Sequence, residues 1–228
     1  MTKSNWSQLI QDLRSEDIDC AVDACEKISE LADGTHVPEL YLLLNDESFF
    51  VREAAAIPLV RLEGVRALPS LFEAHKRGSQ EGHDNDGLTA TIVDLLEANQ
   101  EEVTPLLLDM VRSTDNETRQ RAAWALGFVA SQISPVLLIE LIDHDIDFAV
   151  RAAATGALGS FKGNPAAFNK LLALLQDSNL YVKVAAIAGL GYFGNKRAIN
   201  PLRKCLRNAN DTIRFSVQFA IEKLGEKS

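Results

Sequence analysis

One pattern returns along this chain with a period near 32 residues. It is an aspartate, a short polar stretch, an apolar residue, a base and then an Ala-rich apolar run. It reads Asp46…Val51-Arg52-Glu53-Ala54-Ala55, then Thr118-Arg119-Gln120-Arg121-Ala122-Ala123, then Asp145…Val150-Arg151-Ala152-Ala153. Asp177…Val182-Lys183-Val184-Ala185-Ala186 and Ile213-Arg214-Phe215-Ser216-Val217 complete it. From Arg119 the bases follow at steps of 32, 32 and 31, and the 67 residues from Arg52 to Arg119 hold two steps. The skipped repeat is centred on Leu88 and a degenerate first one on Ala21. A unit this short cannot bury its own apolar faces, so neighbouring units must share one core.

Each unit reads as two helices. The second carries apolar residues at −1, +3, +7 and +10 from the base: Val150, Ala154, Leu158 and Phe161, or Val182, Ala186, Leu190 and Phe193, or Ile213, Val217, Ile221 and Leu224. That spacing makes one helical stripe. The first helix is short and Leu-rich, with a proline near its start (Pro38, Pro69, Pro105, Pro135, Pro165, Pro201), where a missing N–H costs little. Pro58 falls inside a second helix and is expected to kink it. No sustained period-two alternation competes. The expectation is an all-α, right-handed α-solenoid of about seven helical hairpins. It forms a single domain, 1–228, with repeats near 3–33, 34–64, 65–99, 100–130, 131–162, 163–194 and 195–228.

Composition narrows the chemistry. The 228 residues hold 23 Lys+Arg against 32 Asp+Glu, a net charge of −9. Nucleic acid and anionic lipid repel such a chain, and basic partners suit it. Three cysteines without a CxxC pair indicate neither a disulfide framework nor a zinc site. The four histidines are scattered, and no P-loop, GxSxG or HExxH occurs. Gly189-Leu190-Gly191-Tyr192-Phe193-Gly194 has the form GxGxxG, but it ends a helix and follows no strand, so its glycines are read as helix-packing residues. Asp84, Asp86 and Gly87 lack the acids that a calcium loop needs at its first and twelfth places. Neither a metal nor a cofactor is expected. Residues 1–16 carry no signal-type apolar stretch, and Ser131–Pro135 interrupts the longest uncharged run. The reading is cytoplasmic, without membrane or nucleic-acid partners.

The repeat resembles the HEAT family, in the short-repeat form also found in phycobilisome lyase-like proteins. The resemblance rests on the first-helix proline and on an aspartate six residues before the base, as in Asp46/Arg52, Asp145/Arg151 and Asp177/Lys183. It implies a ladder of hydrogen bonds between adjacent turns, through these residues with Arg119 and Arg214. Ser113/Arg119 lacks the acid, and the first and third repeats lack both members.

The array departs from its own rule in the third repeat. Arg52 to Leu88 is 36 residues, so about five extra lie between its helices, within 77–86, and are expected to form a loop on a binding face. Residues 78–118 hold ten acids against the single base Arg112, whereas bases prevail from 195 onward. Glu81, His83, Asp84, Asp86, Glu97, Glu101, Glu102 and the off-stripe Trp124 are the candidate partner-binding residues. The segment Glu81–Leu88 is similar to HEAT-type immunity proteins encoded beside bacterial polymorphic toxins. That resemblance implies a non-catalytic scaffold, alone or in a 1:1 complex, whose acidic middle covers a basic toxin domain such as a nuclease. The alternative is a phycobilin lyase-type enzyme subunit acting on an antenna protein, which requires a concave apolar groove. DNA binding, as in HEAT-like glycosylases, would need a basic groove, against the sign of the net charge.

Overall fold

The computed structural model describes residues 3–83, 85–207 and 209–225, so Asp84 and Asn208 lie outside the described residues. The chain forms two compact units, the first ending at Asn99 and the second beginning at Gln100. The first holds three helix pairs: α1 (Lys3–Asp12) with α2 (Ile18–Leu31), α3 (Val37–Leu43) with α4 (Phe49–Glu63), and α5 (Leu68–Glu81) with α6 (Asp86–Ala98). In the second, α7 (Gln100–Met110) precedes α8 (Asn116–Ala125), and α9 (Pro135–His144) precedes α10 (Phe148–Leu158). It continues with α11 (Pro165–Leu174) and α12 (Leu180–Phe193), then α13 (Ile199–Cys205) and α14 (Asp211–Lys223). Among the described residues there is no strand. The fold is the expected all-α solenoid of helical hairpins.

Local chemistry sets the helix ends. The side chains of Asp17, Asp115, Asp147, Asn164, Asn179 and Asn210 accept hydrogen bonds from backbone N–H groups in the first turns of α2, α8, α10, α11, α12 and α14. In the second helices the cap falls four residues before the base, so Asp115 is a cap rather than a ladder acid. Pro38, Pro69, Pro135 and Pro165 occupy the first positions of their helices. Helix α4 runs through Pro58 to Glu63.

The second helices form the inner layer of each unit, with α2 against α4 and α4 against α6, then α8 against α10, α10 against α12 and α12 against α14. Their core stripe is buried: Val150, Ala154, Leu158, Val182, Ala186, Leu190 and Val217 lose all contact with solvent. Small residues allow very close approach. A Cβ on Gly159 would stand 2.8 Å from the carbonyl oxygen and 2.9 Å from the Cα of Gly189. One on Gly127 would meet the Cα of Ala157 at 3.2 Å, and one on Gly191 the Cα of Ala220 at 3.0 Å. The GxGxxG segment therefore supplies packing glycines, and Gly194 ends α12 at φ 81°.

The bases make two kinds of bond. Each guanidinium donates to carbonyls of its own inter-helix turn: Arg52 to Asp46 and Glu47, Arg119 to Ser113 and Thr114, Arg151 to Asp145 and Ile146. Two of them also reach a carboxylate of the next hairpin. Arg119 pairs with both oxygens of Asp145, at 2.8 and 3.0 Å. Arg52, fully buried, donates to Glu81 at 2.9 Å. The acid six places before the base also accepts a turn N–H: Asp46 from Ser48, Asp145 from Asp147, Asp177 from Asn179. In the first repeat Arg14 donates to Asp46. The expectation that the first and third repeats lack ladder members is thus corrected, because Arg14 and Glu81 stand in from shifted positions. Lys183 holds the corresponding place in α12, and Arg214 bonds within its own helix to the exposed Asp211.

The extra residues of the third repeat do not make the expected long loop. They lengthen α5 to Glu81, and Gly82, at φ 74°, ends it. The added turn carries Arg77, Glu81 and then His83 back to the preceding hairpin. There Arg77 donates to the Asn45 carbonyl, and His83 Nδ1 lies 2.9 Å from the Arg52 guanidinium.

The Arg119 hydrogen bond, working against burial, holds the Asp145 carboxyl below its ordinary range. A lowered folded value adds stability above the unfolded pKa, and that stability is lost as pH falls through the folded one. Asp145→Asn is expected to cost about 1–3 kcal/mol at pH 7 in chemical denaturation. The gap from wild type should close below about pH 4; a constant gap down to pH 2 would refute the pairing. Gly159→Ala should cost about 1–3 kcal/mol through backbone overlap. Gly156→Ala, with nothing within 4 Å of its added carbon, should raise stability by up to about 1 kcal/mol. Thermal melting of the two variants reads the contrast directly.

Candidate functional site

The same small residues that bring the second helices together leave a trough on their solvent-facing side. In the second unit, the position five residues after the base holds Trp124, Gly156, Ala188 and Phe219 in successive repeats. The position nine after it holds Phe128, Ser160, Tyr192 and Lys223. Each row runs large, small and then large again, or small twice before the next large residue. The result is a groove of about 810 Å³. Its floor is Ala152, Ala153, Gly156, Ala157 and Gly159 from α10 and the turn after it, with Ala188 and Gly189 from α12. Trp124 and Phe128 stand at one end, ring to ring at 4.9 Å and 67°. Tyr192 stands at the other, 57% exposed, with the Lys223 ammonium over its ring at 5.7 Å from the centroid. Lys162, in the turn after α10, is the charged member of the lining.

Size and lining fit a small-molecule site, with apolar walls, aromatic faces and a few polar groups at the edge. A floor of Cα and Cβ atoms lets a flat ligand approach the backbone over a broad face. None of the three cysteines is among the residues that line the groove. Burial pushes the thiols of Cys25 and Cys205 above their ordinary range, which keeps them protonated at neutral pH. Among the described residues, no cluster of three His, Cys, Asp or Glu side chains is placed to hold a metal.

The residues expected to bind a partner are divided between the two units. Glu81 and His83 lie together in the first unit, with the histidine Nδ1 3.2 Å from the carboxylate, and both turn inward on Arg52. The Arg77 hydrogen bond and then Arg52 outweigh burial and hold Glu81 below the usual carboxylate range. Glu81 is a rung of the ladder. Asp86 opens α6 and Glu97 lies in its last turn, also in the first unit. Glu101 and Glu102 occupy the first turn of α7 in the second unit, where carboxylates complement the helix dipole. Asp84 is outside the described residues. Of the candidate set, Trp124 lines the groove. Tyr192, Phe128 and Lys162 were missed, as were the small floor residues. The signal was present in the repeat frame: large side chains at one register, separated by Gly156 and Ala188 at the same register.

A profile of HEAT repeats matches residues 79–159 and 135–222. The bilin biosynthesis protein PecE of Nostoc sp. strain PCC 7120 is 35% identical over 102 residues, which cover 42% of this chain and 40% of that protein. The aligned stretch therefore spans well under half the length of this curated relative. The complex of CpcE and CpcF of phycocyanin lyase from Nostoc sp. PCC 7120 contains a similarly folded chain, with a TM-score of 0.52 at 23% identity. That likeness covers 69% of this chain and 99% of that one. A designed armadillo repeat protein bound to a (KR)4 peptide gives a TM-score of 0.45 at 19% identity, over 95% and 98% of the two chains. These findings correct the expectation of a non-catalytic immunity scaffold set against a basic toxin domain. The relative in sequence is a bilin biosynthesis protein, and the matching fold belongs to a lyase complex. They back the lyase-type alternative instead. With more than half of its residues matched by the repeat profile, this chain belongs to the HEAT-repeat family.

Proposed function

We propose that this protein is a subunit of a phycobilin lyase-type enzyme that acts on an antenna protein, and that the groove of the second unit holds the bilin. The observation that carries this reading is the 35% identity to the bilin biosynthesis protein over 102 residues. The groove supports it. An open-chain tetrapyrrole is long, flat and conjugated. A trough floored by glycine and alanine, with indole, phenyl and phenol rings at its ends, accepts that shape. The chain's own part is to bind, to extend the chromophore and to shed water from its faces. Holding a flexible conjugated chain in one geometry lowers the entropic cost of the step that joins it to, or frees it from, the antenna protein.

The partner in this reading is a protein, the antenna subunit. A second lyase subunit is also expected, because the similarly folded solved chain is part of a complex of two proteins. No helix among the described residues is long and apolar enough to cross a membrane. The reading places the protein in the cytoplasm beside its antenna substrate.

The test is spectroscopic. Mixed with a free open-chain bilin, the purified protein should sharpen and red-shift the long-wavelength absorption, as an extended, dehydrated chromophore does. Gly156→Leu places a bulky side chain in the trough without meeting protein atoms at its first carbon. It should abolish the response and leave the melting temperature at or above that of wild type. A spectrum equal to the sum of the components, together with failure to co-purify with an antenna subunit, would remove the proposal.

A further inference from the structure

We infer that the groove is selective for carboxylates: its ligand is a flat conjugated acid, one carboxylate of which is held by the Lys162 ammonium. This deepens the bilin reading and rests on it for the natural ligand, but it is argued from the lining itself. Of the residues that form the groove, Lys162 carries the only charge, and no carboxylate stands beside it in the lining. Among the described residues it has no ion-pair partner, in a chain whose net charge is −9. A cationic ligand would face an uncompensated ammonium, and a neutral one would leave it unused.

The neighbourhood of Lys162 offers a place for one carboxylate. Arginine pairs bidentately with a carboxylate or phosphate, and a free helix N-terminus cradles phosphate. The groove offers neither. Helix α11 starts just after Lys162, but the Asn164 side chain already accepts from the N–H groups of Ala166 and Ala167. One mobile ammonium at the edge of an apolar trough suits one carboxylate on a flexible arm. The aromatic end completes the fit. Lys223 sits over the Tyr192 ring, 5.7 Å from its centroid, and over Phe219 at 5.5 Å. That contact sets a cation against a tyrosine that is 57% exposed and lines the groove.

The experiment uses 1-pyrenebutyric acid and the matched neutral alcohol, 1-pyrenebutanol, as probes, read by fluorescence titration on the full chain. Wild type should bind the acid about five- to tenfold more tightly than the alcohol, as one partly screened ion pair allows. Lys162→Gln should abolish that preference and leave the alcohol's affinity unchanged, and added salt should shrink it. Gly156→Leu should lose both probes. Equal binding of acid and alcohol by wild type, equal weakening of both by Lys162→Gln, or binding of neither probe would overturn the inference. A free bilin and its dimethyl ester, titrated in parallel, separate the two claims. If the pyrene acid shows the Lys162-dependent preference but the bilin does not bind, the lyase reading falls and the carboxylate site stands. If the bilin acid and ester bind alike, and Lys162→Gln changes neither, the carboxylate site falls and the lyase reading stands.

Discussion

The structure depends on how closely its second helices can approach. At Gly159 and Gly189 backbone lies against backbone with no room for an added carbon, and at Gly127 and Ala157 and at Gly191 and Ala220 the approach is nearly as tight. Contact at that distance recruits dispersion from the main chain itself and aligns each helix with the next. It also restricts which residues can border the contact line. Positions beside it must be small where the helices meet and are free to be large only where they diverge. The groove of the second unit follows from that restriction, because its floor is the continuation of the packing stripe toward solvent. Stability and site therefore share residues, and Gly156 stands apart because it borders the trough without touching a neighbour.

The second constraint is electrostatic, and it sets register rather than spacing. A guanidinium as buried as that of Arg52 is tolerable only with its donors occupied, and two turn carbonyls, a carboxylate and an imidazole occupy them. The same group closes its own turn and reaches the next hairpin, so a slip of one hairpin would strand a buried charge. This explains why shifted positions are recruited where the sequence pattern lapses. Glu81 arrives on the extended end of α5, and Arg14 arrives from the turn before α2. The rung is kept by geometry even where its address in the repeat has changed.

These two constraints explain what was legible in the sequence. The period, the paired helices and the core stripe were readable because Val150, Leu158, Val182 and Leu190 recur at fixed offsets from a conspicuous base. The path of the third repeat was not. An insertion rich in Gly, Ser, Asn and Asp reads as loop, yet Arg77 and Glu81, four residues apart, pair along a helix and are drawn back to Arg52. Tertiary pairing overrode local propensity. The groove was hidden for a different reason. Trp124 was noticed at its register because it is large. Gly156 and Ala188 at the same register are silent alone and matter only as the gap between aromatic walls. A pocket is made by absent side chains, and a search for conspicuous residues passes over it.

In the acidic middle, an abundance of charge has reasons within the fold. Glu81 pairs with Arg52 and Arg77, and Asp115 caps α8. Glu101 and Glu102 sit at the start of α7, where the helix dipole welcomes them. These carboxylates have local work that requires no visitor, so the local excess of charge follows largely from how many turns and helix starts fall in that stretch. Lys162 lies at the opposite pole of the same argument. It is one base with no local duty, in a lining otherwise without charge, on a chain that is acidic overall. A lone charge that the fold does not use says more about a ligand than ten that the fold does.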